Sequence, residues 1–406
     1  MAINIKNLEA RIQKKAASVT SNTPTAELGD IIEAANLATG GLAQYDSAGL
    51  LPTASSTQNI KMAYLKKDNS IRFNSGSAWN KMTPGAAVGG AVSTAPTVPV
   101  YAGTEYGYAF NSNPAPNTSV FDRYSFTSDA NSTDLGTDVG SPTLGRVQMQ
   151  GGGGETKGFH SGGFNPASPT GPGQQATYIA SFPYASGTPL ADTTYQLFAQ
   201  RRYGNREMIG DRTNIYYAGG SPYAGGATNV IDKHPETVSA NATDVGDLIE
   251  AQIYTRGTSS PTHGYILGGY TPTTPVVTDR IQKFSFASDA NAVDVSNLVA
   301  GVAYNAGAAS STHGYSMGGG YPTATDLIQS FPFAAETDAT DTTANLTSTR
   351  SQGAGTTSST HGYINAGANP GDNNIIEKFP FANSTADATD VGDLQKARVG
   401  AGTSQN

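Results

Sequence analysis

The sequence contains no cysteine, so it has no disulfide framework, no thiolate metal site and no cysteine nucleophile. Charge is scarce, at 14% of 406 residues against a typical ~25%, too little for disorder driven by charge repulsion. Lysine and arginine form no cluster beyond Lys14-Lys15 and Arg201-Arg202, and the net charge is −8. A nucleic-acid footprint is therefore not expected. No run approaches the ~18 consecutive apolar residues of a membrane-crossing helix. The first nine residues are broken by charges and have no apolar h-region, so no secretory signal is read there and synthesis in a cytoplasm is expected. Tryptophan occurs once, at Trp79. What is plentiful is turn chemistry and core material: 48 Gly and 22 Pro beside 20 Tyr and 14 Phe. That balance predicts many short strands joined by tight turns.

Self-similarity organises most of the chain. Thr262-His-Gly-Tyr265, Thr312-His-Gly-Tyr315 and Thr360-His-Gly-Tyr363 space their histidines by 50 and 48 residues. Degenerate copies stand at Glu105-Tyr-Gly-Tyr108, Thr156-Lys-Gly-Phe159 and Thr213-Asn-Ile-Tyr216. A Gly pair follows in several units, as in Gly162-Gly163, Gly219-Gly220, Gly268-Gly269 and Gly318-Gly319. A second marker reads Ile281-Gln-Lys-Phe-Ser-Phe286, Ile328-Gln-Ser-Phe-Pro-Phe333 and Ile376-Glu-Lys-Phe-Pro-Phe381, with relatives at Ile179, Val120 and Ile231. A third is one aspartate per unit: Asp134, Asp192, Asp244, Asp294, Asp341 and Asp390.

Six units of about fifty residues, each parsed as four short strands, suit a six-bladed β-propeller. The first strand is a run of small residues, the second carries Gly as near a crowded axis, and the Pro of the third argues for an edge or bulge. The terminal Arg398-Val-Gly-Ala-Gly-Thr-Ser-Gln-Asn406 repeats a first strand with no second strand after it. It is expected to pair with Tyr106-Gly-Tyr108 and so close the ring. The Gly doublet after an apolar strand resembles kelch-type repeats over about three quarters of the chain, although the usual kelch Trp is missing. The fold expected is mainly β, a kelch-like propeller over residues 100–406 behind a small α+β region.

That region, residues 1–83, does not repeat. Ile5, Leu8, Ile12 and Ala16 suit a short amphipathic helix, and Thr23-Pro24 begins a second helical run. Ile60–Leu65 and Ile71–Asn74 suit a hairpin, and residues 84–99 read as a linker. Ala43-Gln-Tyr-Asp-Ser-Ala-Gly-Leu-Leu51, Ile71-Arg-Phe-Asn-Ser-Gly-Ser-Ala-Trp-Asn80 and the repeated Ser-Thr-His-Gly-Tyr and Asp-Ala-Asn runs resemble virion structural and appendage proteins of tailed bacteriophages, particularly marine cyanophages. The resemblance implies a particle-docking N-terminal region, a projecting β-rich region, a place in the virion, and homo-oligomers such as trimers.

Candidate chemistry is sparse. His263, His313 and His361 occupy one place in successive blades, so rotation carries them apart and a turn role is expected over a metal site. The six repeat aspartates suit side-chain capping of local turns. No cofactor is expected, and no GxSxG, HExxH or P-loop pattern is present. Glu155, Glu207 and Glu250 remain acidic residues that sequence alone cannot pair as in a glycosidase. The loops between second and third strands differ in every unit, which makes their face the expected recognition surface. Tyr223, Tyr270, Tyr321 and Asn165 in those loops are the candidate ligand contacts. The expected function is a non-enzymatic virion component (tail fibre, decoration or other appendage) that docks to virion proteins through residues 1–95 and meets a host-surface glycan or protein. The alternatives are a free lectin-like propeller and, third, a polysaccharide-degrading enzyme.

Overall fold

The computed structural model describes Ala43–Tyr45, Met62–Leu65, Ser70–Asn74, Trp79–Lys81 and residues 102–406, except 111–119, 137–147, 164–176, 178, 188–195, 199–203, 205–208, 223–224, 238–239, 322 and 369. The chain divides into two units, Met1–Thr94 and Ala95–Asn406. In the first, β1 (Ala43–Tyr45) runs parallel to β2 (Met62–Leu65), β2 makes a hairpin with β3 (Ser70–Asn74), and β4 (Trp79–Lys81) pairs with β3. The helices expected before residue 36 and the linker at 84–99 lie outside the described residues.

The second unit is a six-bladed kelch-like β-propeller. Blade 1 holds β5 (Tyr106–Phe110), β6 (Phe121–Ser125) and β7 (Thr133–Asp134). Blade 2 holds β8 (Gln150–Gly153), β9 (Lys157–Ser161) and β10 (Ile179–Pro183). Blade 3 holds β11 (Asn214–Ala218), β12 (Thr228–Pro235) and β13 (Thr243–Gln252), with Gly210 bridged to Ile215 on the inner side. Blade 4 is the full meander β14 (Arg256–Ser259), β15 (His263–Thr271), β16 (Val276–Ser285) and β17 (Val293–Asn297). Blade 5 repeats it with β18 (Ala306–Ala309), β19 (His313–Met317), β20 (Thr325–Pro332) and β21 (Thr340–Arg350). Blade 6 has β22 (Ala354–Thr357), β23 (His361–Asn365), β24 (Asn373–Pro380) and β25 (Thr389–Arg398). The last strand, β26 (Gly402–Gln405), pairs antiparallel with β5 and becomes the inner strand of blade 1. The Asn406 side chain then accepts from the Tyr106 N–H at 2.8 Å. The two ends of the ring therefore share one sheet, which leaves no open edge at the junction.

The inner strands explain their own composition. A Cβ at Gly307 would stand 2.1 Å from the Gly257 carbonyl oxygen, and one at Gly355 2.0 Å from that of Gly307. Backbones meet directly around the axis, and only Gly permits that approach. The axis crowding expected of the second-strand glycines falls on the first strand instead, while the second strand makes its close backbone approach at the doublet, where a Cβ at Gly268 would stand 2.2 Å from Val302 O. Gly264, Gly314 and Gly362 instead lie beneath the rings of Phe284, Phe331 and Phe379. The third strand is also not an edge, since β20 pairs with both β19 and β21. Its Pro332 is the last residue, beyond the final β21 partner at Ser330, so the missing N–H breaks no ladder there. Both faces of this strand are buried because blades flank it on both sides. Ile281 joins a cluster with Leu298 and Phe331 of the next blade, while Phe284 joins one with Tyr216 of the preceding blade.

Aromatic stacks join the blades where kelch units would use Trp. Tyr265 stacks on Phe333 at 4.9 Å, Tyr315 on Phe381 at 5.1 Å, and Tyr216 on Phe286 at 4.9 Å, each from one blade to the next. Tyr363 meets Phe126 at 4.8 Å across the closure. Further out, an Asp or Asn followed by a small residue clamps the preceding blade. Asn291 accepts from Asp247 N, Asp338 from Asn297 N, Asp387 from Asn345 N and Asn131 from Asp393 N, at 2.9–3.1 Å. The next residue returns a bond, as Ala388 N does to Asn345 O at 2.9 Å.

Candidate functional site

An antiparallel meander puts the 1–2 and 3–4 loops on one face of the ring, and the 2–3 loops with the inter-blade connections on the other. The second face owes its shape to the Gly doublet. Gly268 and Gly269 have φ of +63° and +120°, Gly318 and Gly319 of +56° and +103°, a left-handed path that L side chains seldom take. The turn carries the Gly269 N–H to Val302 O at 2.8 Å, just past its own blade's fourth strand, and the Gly319 N–H to Arg350 O at 2.7 Å, at the end of that strand in blade 5. Tyr270 and Tyr321 follow within two residues and emerge on this face.

A second device stands nearer the axis. Tyr254 and Tyr304, two residues before their inner strands, have φ of +59° and +60°; Gln148, Gln352 and Gly400 take the same path in other units. Their backbones form an arc: Tyr304 N–H donates to Tyr254 O (3.2 Å), Gln352 N–H to Tyr304 O (2.8 Å) and Gly400 N–H to Gln352 O (2.9 Å). Strain of about 1 kcal/mol or more at Tyr254, Tyr304 and Gln352 is thus braced by bonds that link four successive units.

The two devices bring four tyrosines together. Tyr254 and Tyr304 stack with centroids 4.1 Å apart at 25°, Tyr270 lies 6.4 Å from Tyr254, and Tyr321 lies 5.3 Å from Tyr270 at 57°. Tyr321 is 51% exposed and the other three are half-buried. Tyr270 is fixed by two backbone bonds with Ile253, at 2.8 and 2.9 Å. The result is an aromatic shelf across blades 4 and 5, built as a row of stacked rings whose exposed end, Tyr321, offers an apolar ring face with a polar tip to the face and hydroxyls of a sugar.

Two of the four sequence candidates, Tyr270 and Tyr321, belong to this shelf; Tyr223 and Asn165 lie outside the described residues. Tyr254 and Tyr304 were missed. Their signal was a substitution pattern: Tyr at a place where other units carry Gln or Gly.

The histidines occupy the first face. His263, His313 and His361 each place Nδ1 2.8 Å from the hydroxyl of the preceding Thr, and their backbone N–H groups donate to Ser260, Ser310 and Ser358 at 3.0–3.1 Å. Burial holds all three below the usual imidazole pKa. Among the repeat aspartates, Asp134, Asp244 and Asp390 accept from the N–H two residues on, at Gly136, Gly246 and Gly392. Asp341 does the same with Thr343, Asp294 pairs with Arg280 at 3.0 Å, and Asp192 lies outside the described residues. Glu250 is held by Arg280 at 3.2 Å and accepts from Thr271 at 3.3 Å; Glu207 is not described. Among the described residues no group of three or more His, Asp or Glu is placed to hold a metal ion. Comparison of the chain with protein-family models and with curated proteins finds no match to either.

Proposed function

We propose that this chain is a non-enzymatic virion protein of a tailed phage whose propeller binds a host-surface glycan on the shelf formed by Tyr254, Tyr304, Tyr270 and Tyr321. The shelf is the observation that carries the binding role: four aromatic rings in a row on one face, two of them on a strained but braced backbone. The phage setting rests on the sequence resemblance and on the division into a non-repeating unit and a ring. Residues 1–95 dock to other virion proteins and hold a homo-oligomer, for which a trimer is one arrangement.

The chain joins the ring on the histidine face, where Gly103 N–H donates to Thr357 O at 2.7 Å and Arg212 donates to the Ala102 carbonyl. Gold-labelled antibody against the propeller should mark the tail tip or fibres of intact particles. Purified protein should bind host cells, and Tyr270→Ala with Tyr321→Ala should weaken this about tenfold, the effect of ~1.4 kcal/mol. Unlabelled particles with glycan binding intact would replace the virion reading with a free lectin-like propeller. Binding unchanged in the double variant would remove the shelf from the account.

A further inference from the structure

On the histidine face, a cation from one blade's third strand reaches an acid in the next blade's 3–4 loop. Lys233 meets Asp289 at 2.6 Å, Lys283 meets Glu336, and Lys378 meets Asp129 at 2.5 Å across the ring closure. The lysine stands two residues after the strand-three Ile, and in blades 1, 4 and 5 the acid stands three residues after the Phe that closes the same marker. Between blades 5 and 6 both places change together, to Ser330 and Ser384.

A cleft of about 370 Å³ opens there, and both serines line it. Its size falls within the range of ligand pockets. The floor is aromatic: Phe381 lies on Tyr315 at 5.1 Å and 21°, and the Ser310 side chain is hydrogen-bonded to the Tyr315 hydroxyl. The rim carries hydroxyls from both blades, among them Ser311 and Thr360. His313 adds an imidazole whose Nδ1 is engaged by Thr312 at 2.8 Å, which leaves Nε2 as the nitrogen for a ligand. None of the lining side chains is Asp, Glu, Lys or Arg. A charged ligand would enter without a counter-charge and lose hydration. A flat, hydroxyl-bearing neutral ring would place one face on Phe381 and its hydroxyls on the serine and threonine rim.

We propose that this cleft is a second binding site, for a neutral sugar residue at the end of a glycan. It lies on the opposite face from the tyrosine shelf and does not depend on it. The paired loss of lysine and acid is what makes the site: the same surface in neighbouring blades is bridged by the ion pair.

Saturation-transfer NMR on the full-length protein tests it, with the methyl glycosides of glucose, galactose, mannose and N-acetylglucosamine, and with sialic acid and glucuronate as charged probes. At least one neutral glycoside should give signal and neither charged sugar should. Ser330→Lys with Ser384→Glu installs the pair that flanking interfaces already use, so the fold is retained while the cleft is filled. Read in a Tyr270→Ala, Tyr321→Ala background, where the shelf adds nothing, that variant should lose the signal at least ~10-fold, a change of ~1.4 kcal/mol. His313→Ala, a smaller change at the rim, should weaken it too. The proposal is overturned if no neutral glycoside gives signal in that background, if a charged sugar gives the stronger signal, or if the signal persists in both cleft variants.

Discussion

Two interfaces of the ring use the same geometry with different chemistry. Between blades 3 and 4, Gln282 Nε2 donates to Gln252 Oε1 at 2.8 Å, while Gln282 Oε1 accepts from Ile249 N–H at 2.8 Å. Between blades 5 and 6 the corresponding places hold Glu377 and Arg350, which form an ion pair, and Glu377 accepts from Thr347 N–H at 3.0 Å. Asp122 and Arg398 repeat the ion pair between blades 6 and 1. All six side chains are buried. Gln282 and Glu377 share one requirement, an acceptor for a fourth-strand N–H of the preceding blade, and Gln meets it without charge. At the blade 5–6 and 6–1 interfaces charge enters as a matched pair, because an Arg or Glu against a neutral partner would be a lone buried ion.

This comparison is broken most strongly by removing one partner. Arg350→Gln should cost about 3–5 kcal/mol, the usual penalty for leaving one buried charge unpaired. Arg350→Gln with Glu377→Gln copies the blade 3–4 interface and should return to within about 1 kcal/mol of the wild type. Urea unfolding followed by tyrosine near-ultraviolet circular dichroism reads the ring, which holds 18 of the 20 tyrosines because only Tyr45 and Tyr64 precede it. A double variant as unstable as the single would show that the ion pair itself, and not charge matching, stabilises the interface.

The repeat made the blade count, the ring closure and the inner strands legible, because similar units of about fifty residues leave three markers in the chain. The burial of the third strand was less legible. Ile281 and Phe284 pack on opposite blades, so both faces are apolar and the period-two pattern disappears. The shelf was half legible: Tyr270 and Tyr321 stood in divergent loops, but Tyr254 and Tyr304 stand in a conserved turn. The cleft was not legible at all, because it comes from two serines fifty-four residues apart in sequence (Ser330 and Ser384) that matter only as substitutes for a pair met across a blade interface.

A second pair of blades sharpens the comparison through pH. His234 occupies the place of Phe284, Phe331 and Phe379, packs on Phe159 with centroids 5.3 Å apart, and is only 2% exposed. Burial lowers its pKa to about 4. The folded state therefore holds it neutral while the unfolded chain binds a proton from about pH 6.5 downward. The contribution is complete above pH 6.5 and lost as pH falls toward 4, on the order of 3 kcal/mol in all. His263, His313 and His361 shift in the same direction but are more exposed and add less. His234→Phe should flatten most of the fall in urea midpoint between pH 6.5 and 4. An unchanged slope would place the acid sensitivity elsewhere.

The outer clamps give the smallest expected effect and the finest comparison. Asp387 Oδ1 accepts from Asn345 N–H at 2.9 Å, and Asn131 and Asn291 make the equivalent bond in blades 1 and 4. If the clamp needs only an acceptor, its charge is irrelevant. Asp387→Asn should then be neutral to within a few tenths of a kcal/mol, whereas Asp387→Ala leaves the N–H to water and should cost about 0.5–1.5 kcal/mol. The site is exposed, so water recovers part of that loss and the lower half of the range is expected. The same substitution at Asp338 should give a matching value, since Asn297 N–H donates there at 2.9 Å. Equal costs for Ala and Asn would instead assign the effect to charge, and the clamp would be an electrostatic contact specific to blades 5 and 6.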